Sequence, residues 1–553
     1  MPPTGGRFSQ RWSAGSVFLL AALLLAMAAC GARDQAAESP PVELRAGTPM
    51  QVHQANPLAD YGYNILAMLA THDTLVRFDA GMRPVAQLAT SWQVNADATE
   101  WQFDLRSDAR WHDGQPVTVE DVKFTFEYLA AHHPASAWIA DLVRAISTEG
   151  TRIVFRLKRP YSRFLINGGF IVRILPRHVW QSVNDPLRPG STPVTIGSGP
   201  FVFETFDPRT GQLSFRRNPA YYGSTGAVEN LRFYLNRSFD HLVLALERGD
   251  IDVFYKYASG FPPAYRPRLA RAMNIQHLEV EAMGVPAALG FNLRRTPMRD
   301  PAWRKAIALA MDYPRLGQSL LQTQARIPGA GFVPPAFDFA VRLPELVYSP
   351  GKSRHLLTSA GYRDTDADGL LNRPDGANLK LTLLARSDLE GTDGLLPILN
   401  HNFEQVGIGL EIERADLSTW IARMQEDRYD LVLFRTTPWG MMMEAGCASG
   451  YFDARRHGGG TLANVDDPAF YDLCEAVLRT PDPLEQQRLH HAMQRYYAEH
   501  LPAVALCWAA AHYPATNRWQ GWQVNPIEGG LVNRQTFCRL QPAGTDGQYG
   551  KTP

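Results

Sequence analysis

The chain has 553 residues, 45% of them hydrophobic, with 55 lysines and arginines balanced by 55 aspartates and glutamates. A formal charge of zero without a basic cluster argues against a nucleic-acid partner. The length exceeds one ordinary core, so two or three packed units are expected.

The N-terminus reads as an export signal. Arg7 and Arg11 form a basic region, Ser16 to Ala26 is an apolar run too short to span a membrane, and Met27-Ala28-Ala29-Cys30 follows. Cysteine at that junction is expected where its thiol becomes a lipid attachment point, so residues 1–29 are taken as a lipoprotein signal and Cys30 as the lipidation site. Residues 30–44 are polar and rich in Pro and Ala, as a flexible tether is. The protein is therefore expected outside the cytoplasm, in a periplasm or at a cell surface.

Glu100 to Arg106 alternates, placing Trp101, Phe103 and Leu105 on one face of a strand. A turn at His112-Asp113-Gly114 precedes a helix that Thr118 caps, with Asp121 at its third position and Val122, Phe126 and Leu129 at helical spacing. Ile153 to Leu157 and Val202 to Phe206 read as strands. Asp300-Pro301, Asp467-Pro468 and Asp482-Pro483 each put a capping carboxylate before a proline at the first helical position. In the first of these helices Trp303, Ile307, Ala310 and Met311 make the buried stripe. Leu379 to Leu384 and Tyr429 to Phe434 are strand-length apolar runs around a helix near Leu395 to Phe403, which predicts an α/β lobe with a parallel pair. Asp364, Asp366 and Asp368, then Gly369, Asn372 and Asp375, follow the spacing of a calcium loop, although Asp375 replaces the usual glutamate; a solvated acidic turn is the competing reading. Cys447, Cys474, Cys507 and Cys538 all fall in the last quarter, and at least one disulfide is expected against an alternative of buried free thiols.

These segments carry a family likeness. LATSW (88–92), RSDARWHDGQPVTVEDVKFTFEYL (106–129), GSGPFVF (197–203), RRNPAYYG (216–223), ALERGDIDV (245–253), FNLRRTPMRDPAWRKAIALAMD (291–312), AGYRDTDADG (360–369) and LPAVALCW (501–508) occur in order along the chain. The series resembles the bacterial extracellular solute-binding proteins of family 5, the receptors of peptide and nickel ABC importers. The resemblance implies an α/β, two-lobed periplasmic-binding-protein fold with an extra subdomain and a ligand cleft between the lobes. It places the first lobe at 45–290 with its subdomain at about 77–193, the second lobe at 291–508, the return to the first at 509–540, and a flexible tail at 541–553. The chain would cross near Phe291 and return near Trp508.

By the same resemblance the function is capture of an oligopeptide-like ligand or a nickel chelate for uptake by permease subunits, by a monomer that needs no cofactor. Reuse as a sensor or chaperone is the alternative, and a lipid-anchored hydrolase a remote one. Peptide receptors of this family hold the peptide amino terminus with an aspartate near a tryptophan, yet none stands near Trp439 before Asp453; Glu444 is the nearest acid. The nickel branch offers a different match: Trp439 beside Gly440, Trp138 after Ala137, Arg173 as a carboxylate clamp, and His457 as a metal ligand through a chelate. Tyr61, Tyr63 and Met442 are added as lining residues. Against each stands a plain structural role: core packing for Trp138, a solvent-facing side chain for Arg173, a solvated loop for His457. No catalytic set is found. Gly197-Ser198-Gly199 lacks the spacing of a nucleophile elbow, and H-E-x-x-H is absent.

Overall fold

The computed structural model describes residues 42–544 apart from 225, 258–259, 323–324, 374, 388, 390, 443–444 and 457–460. The expected signal at 1–29, Cys30 and His457 lie outside the described residues. β1 (Glu43–Thr48) leads to a helix at Tyr61–Ala70, where the Asp60 carboxylate accepts from Tyr63 N at 2.8 Å. β2 (Val76–Phe78) and β3 (Pro84–Ala86) form a short ribbon. β4 (Ala89–Val94), β5 (Glu100–Leu105), β6 (Val143–Glu149) and β7 (Arg152–Leu157) then make an antiparallel sheet in the order β4-β5-β7-β6. Trp101, Phe103 and Leu105 are buried on its inner face beneath the helix Val119–His132. That helix opens with a full capping box between Thr118 and Asp121, and Val122, Phe126 and Leu129 face inward. Phe126, Phe155 and Phe164 close the subdomain core, with Phe126 and Phe155 centroids 4.6 Å apart.

β8 (Phe201–Asp207), β9 (Gln212–Arg217), β10 (Asn230–Leu235), β11 (Val253–Phe254) and β12 (Ile275–Glu281) build the first large sheet around β1. With β18 (Ala510–Thr516) its order is β12-β18-β11-β1-β10-β9-β8, and β1 runs parallel to β10 and β11. The second sheet takes β13 (Ala288–Phe291), β14 (Lys380–Arg386), β15 (Gly409–Ala415), β16 (Leu431–Phe434) and β17 (Ala503–Ala505) in the order β15-β14-β16-β13-β17. The two apolar runs read from sequence are β14 and β16, which do pair in parallel. β15 was not foreseen: its Leu410 and Ile412 are only half-buried at the sheet edge, so its pattern is weak. Asp300, Asp467 and Asp482 each cap a helix with proline in its first turn, and Trp303, Ile307, Ala310 and Met311 are buried.

The chain passes between the two sheets at 282–287 and returns at 506–509. β13 already belongs to the second sheet, so the crossing precedes Phe291, while Trp508 lies in the return. The two connections are bonded to each other: Ala282 N donates to Ala509 O at 3.0 Å, and Leu506 N to Ala287 O at 2.9 Å. Glu281 pairs with Ala510 and Ala288 with Ala505, so seven steps on one strand face five on the other. The two extra residues bend the ribbon as a bulge does.

The C-terminal return is locked into the first lobe by buried charge. Arg534 in the helix Arg534–Arg539 pairs with Asp73 at 2.7 Å and donates to the carbonyls of Met68 and His72. Asp73 also accepts from Ser198, Tyr222 and Gln87, and Arg77 pairs with Glu528 beside it. Gln541–Pro542 pair with Trp519–Gln520, so ordered chain continues past residue 540.

The expected disulfide is not formed. Cys447, Cys474, Cys507 and Cys538 are all free thiols. The fold seats them separately: Cys447 before a 3-10 turn, Cys474 within the helix Pro468–Arg479, Cys507 in the return connection, and Cys538 in the last helix, where its thiol donates to Ser224 O at 2.9 Å. Burial pushes the thiols of Cys447, Cys474 and Cys507 up to about 12. Among the described residues no helix is long and apolar enough to cross a membrane.

Candidate ligand cleft

Arg173, expected as a carboxylate clamp, has phenols for electrostatic neighbours. It follows the tight turn Leu165–Phe170 and is half-buried, with Nε lacking a partner. Burial lowers its pKa to about 10, and the phenols of Tyr257 and Tyr61 offset part of that effect, so it remains a cation at neutral pH. A desolvated guanidinium whose neighbours are phenols is poorly compensated, and an incoming carboxylate would repay that cost.

Both lobes supply the surrounding groups. Tyr61 opens its helix directly after the Asp60 cap and keeps 73% of its surface open. Protein walls nevertheless crowd it enough to raise its phenol pKa, against the pull of Arg435 and Arg173. Tyr257 lies three residues beyond β11 and feels Tyr61, Arg173 and Tyr451. Arg435 follows β16 directly, and Tyr451, hydrogen-bonded to Thr437, senses it. Tyr257 and Arg435 thus extend from the carboxyl ends of strands, where open α/β sheets commonly bind ligands.

Trp439 joins the lobes beneath this cluster. Its ring stacks on Phe170 with centroids 4.4 Å apart, meets Phe78 edge-on at 5.6 Å, and donates Nε1–H to Ile527 O at 3.1 Å. It is only 4% exposed, so it forms the wall rather than an open surface. The glycine after it has a steric reason: a Cβ on Gly440 would stand 1.7 Å from the Tyr451 phenol oxygen. Met441 and Met442 are buried in the short helix Pro438–Met442.

Other expected residues are placed elsewhere. Tyr63 is wholly buried under its helix, edge-on to Phe203 at 5.8 Å, and does not reach the cleft. Trp138 begins the helix Trp138–Leu142, which packs on the helix Val119–His132 and β6 inside the subdomain. Asp364, Asp366 and Asp368 do come together, within 4.8 Å, but the loop uses its own carboxylates. Asp364 accepts from Gly369 N, Asp368 from Leu370 N and the Asn378 amide, and Asp375 from Ala377 N. Asp364 Oδ1 stays without a partner, but three mostly exposed carboxylates in one turn do not by themselves support calcium. Two surface hollows, of about 630 and 480 Å³, are present, the larger lined by Arg295, Glu411, Glu413 and Arg428, of which Arg295, Glu413 and Arg428 are ion-paired with Asp430, Arg423 and Glu426.

A second meeting place of the lobes lies at the turn after β7. Ser162 N donates to Leu478 O at 2.7 Å, Ser162 Oγ to Val477 O, and the buried Arg163 to Nε2 of His490 at 3.1 Å. His490 accepts that bond only as the neutral imidazole, and burial together with Arg163 and His491 holds its pKa well below the usual value.

A family model described as "Bacterial extracellular solute-binding proteins, family 5 Middle" matches residues 83–455. The nickel-binding periplasmic protein of Escherichia coli K12 is 24% identical over 439 residues, covering 75% of this chain and 79% of that protein. A probable di/tripeptide-binding protein 5 of Pseudomonas aeruginosa is 23% identical over 496 residues, covering 84% and 89%. The crystal structure of NikA from Brucella suis in complex with Fe(III)-EDTA superimposes with a TM-score of 0.76 at 18% identity, over 90% of this chain and 99% of that one, a likeness of fold.

Proposed function

The chain belongs to the bacterial extracellular solute-binding proteins of family 5, and from that premise we propose that it is the substrate-binding receptor of an ABC importer whose ligand carries carboxylate groups. The observation that carries this reading is Arg173, a half-buried cation attended by the phenols of Tyr61 and Tyr257, with Arg435 at the same cleft. A guanidinium recognises a carboxylate through two parallel hydrogen bonds, and the surrounding phenols add donors that tolerate varied ligands. A short peptide and a metal held by a small polycarboxylate chelator both satisfy that chemistry. In the chelate case His457 is the candidate metal ligand, and Trp439 and Met442 supply apolar walls in either case.

The receptor captures its ligand without turnover. In support, the Cys447 thiol stands at about 12, far from a reactive thiolate, and the Arg163 guanidinium that acts on it is bonded to His490. Delivery to a permease follows from two lobes joined by a bendable ribbon, since a closed receptor presents a different surface from an open one. Export by residues 1–29 and anchoring through Cys30 would hold a monomer beside that permease in the periplasm or at the cell surface.

Native mass spectrometry with metal analysis on the protein purified from the exported fraction tests the reading. A co-purified transition metal with a small carboxylate chelator, lost in His457→Ala, establishes the chelate ligand. A ladder of peptide masses without metal establishes the peptide. Ligands devoid of carboxylate would overturn the proposal.

A further inference from the structure

Arg163 reaches from the turn after β7 in the first lobe to the helix Pro483–His500 of the second, where it meets an imidazole. The guanidinium is buried and its Nε has no partner. Its electrostatic neighbours are the Cys447 thiol and the Tyr161 phenol rather than a carboxylate. Nε2 of His490, 3.1 Å away, is the acceptor that faces this buried cation. Ser162 fastens the same turn: it donates from N to Leu478 O and from Oγ to Val477 O, both at 2.7 Å, and accepts from the Gln486 amide at 3.1 Å. Gly446 packs on the contact so closely that a Cβ there would stand 2.5 Å from the Arg163 guanidinium and 2.8 Å from Nε2 of His490. Phe339 lies against the imidazole, with ring centroids 4.7 Å apart.

A guanidinium has no lone pair to offer, so the bond exists only while Nε2 of His490 is unprotonated. A proton on that nitrogen replaces the acceptor with a donor and sets two cations side by side in a buried contact. Burial, Arg163 across the lobes and His491 on its own helix all hold the His490 pKa well below the usual value. The other groups packed on it, Gly446, Phe339 and Gln494, carry no charge, and the nearby Cys447 thiol, at about 12, is neutral. Swinging the lobes apart withdraws Arg163 and admits water, which returns the imidazole to an ordinary pKa of about 6.5. Closure therefore excludes a proton: the contact contributes in full above about pH 6.5 and is lost as pH falls toward the lowered value. Between about pH 7.5 and about pH 5 that exclusion shifts the balance toward the open form by up to about thirtyfold.

We propose that Arg163 and His490 form a latch between the lobes that neutral pH holds shut and acid releases. Because the proton enters as the lobes part, closing and deprotonation are one event. The latch is separate from the recognition of carboxylate by Arg173 and does not depend on what the cleft binds.

Hydrogen–deuterium exchange of the purified full chain tests it, with labelling times scaled for the pH dependence of intrinsic exchange. The reporter is the Ser162 amide, the donor to Leu478 O across the lobes. In wild type its protection is expected to fall by about tenfold or more between about pH 7.5 and about pH 5. His490→Gln keeps an acceptor for Arg163 and removes the titrating ring, so its protection should stay level over that range. Arg163→Met removes the donor, and its Ser162 amide should be poorly protected at both pH values. Small-angle scattering gives a second readout, a radius of gyration that grows on acidification in wild type and stays constant in His490→Gln. Equal protection of the wild-type amide at both pH values would overturn the latch, as would a fall in either variant as large as that in wild type.

Discussion

Tyr61 and Tyr63 are two residues apart on one helix, and the fold gives them opposite fates: one is open at the cleft, the other sealed against Phe203. Residues at that spacing point to nearly opposite sides of a helix, so no more than one could line a site there. Arg173 carries the sharpest prediction at this scale. Arg173→Ala should weaken ligand binding by about 2–5 kcal/mol, measured by calorimetry against whichever ligand the purified protein holds. Arg173→Lys should recover only part of it, since a point charge replaces the planar fork. Equal affinity in all three proteins would remove Arg173 from the site. Arg173 was marked as a candidate in the sequence only through resemblance; nothing local marks an arginine in a run such as FIVRIL. Arg435 and Tyr257 were legible in principle, because each follows an apolar strand at its carboxyl end. Tyr451 was not: its role depends on the space above Gly440, which only the tertiary fold creates.

Elements with strong local chemistry were read correctly. Each Asp-Pro pair caps a helix and Thr118 with Asp121 forms a capping box, because such signals lie within four residues. β14 and β16 announced themselves as apolar runs, whereas edge strand β15 could not, with its glutamates facing water. The free cysteines were illegible for the same reason that disulfide pairing always is: which thiols meet is a long-range matter. One long-range tie decides how the return helix holds. Arg534 and Asp73 are buried together, 461 residues apart in sequence. Arg534→Met should therefore cost about 3–5 kcal/mol by stranding the Asp73 carboxylate, read as a lowered midpoint in chemical denaturation. A loss no greater than that of an exposed arginine would show that Tyr222, Ser198 and Gln87 compensate Asp73 by themselves.

Across the whole molecule, several imidazoles are held neutral by burial. His72 and His490 lie well below the usual pKa, and His112 is pushed down to about 4. The unfolded chain binds these protons near pH 6.5 while the folded one refuses them, so their contribution to stability is complete above that pH. It is lost as pH falls from about 6.5 toward 4. Melting temperature should decline through that window, before most carboxylates titrate. His490→Gln, which keeps an acceptor for Arg163 but no titrating ring, should flatten the decline. An unchanged slope in that variant would place the acid sensitivity elsewhere. His490 also touches the Ser162–Arg163 turn, so acidification strains one of the two places where the lobes meet.

The paired connections at 282–287 and 506–509 set how this receptor spends its time. Two strands bonded side by side bend and twist readily but slide past one another poorly, since sliding would break Ala282–Ala509 and Leu506–Ala287 together. Opening is thereby reduced to a swing about one axis, and a trapped ligand can leave only when that swing occurs. Stiffening the ribbon, by shortening the six-residue arm that faces four, would slow arrival and departure alike. The balance between bound and free ligand would then hardly move, while the tempo at which cargo is handed on would fall.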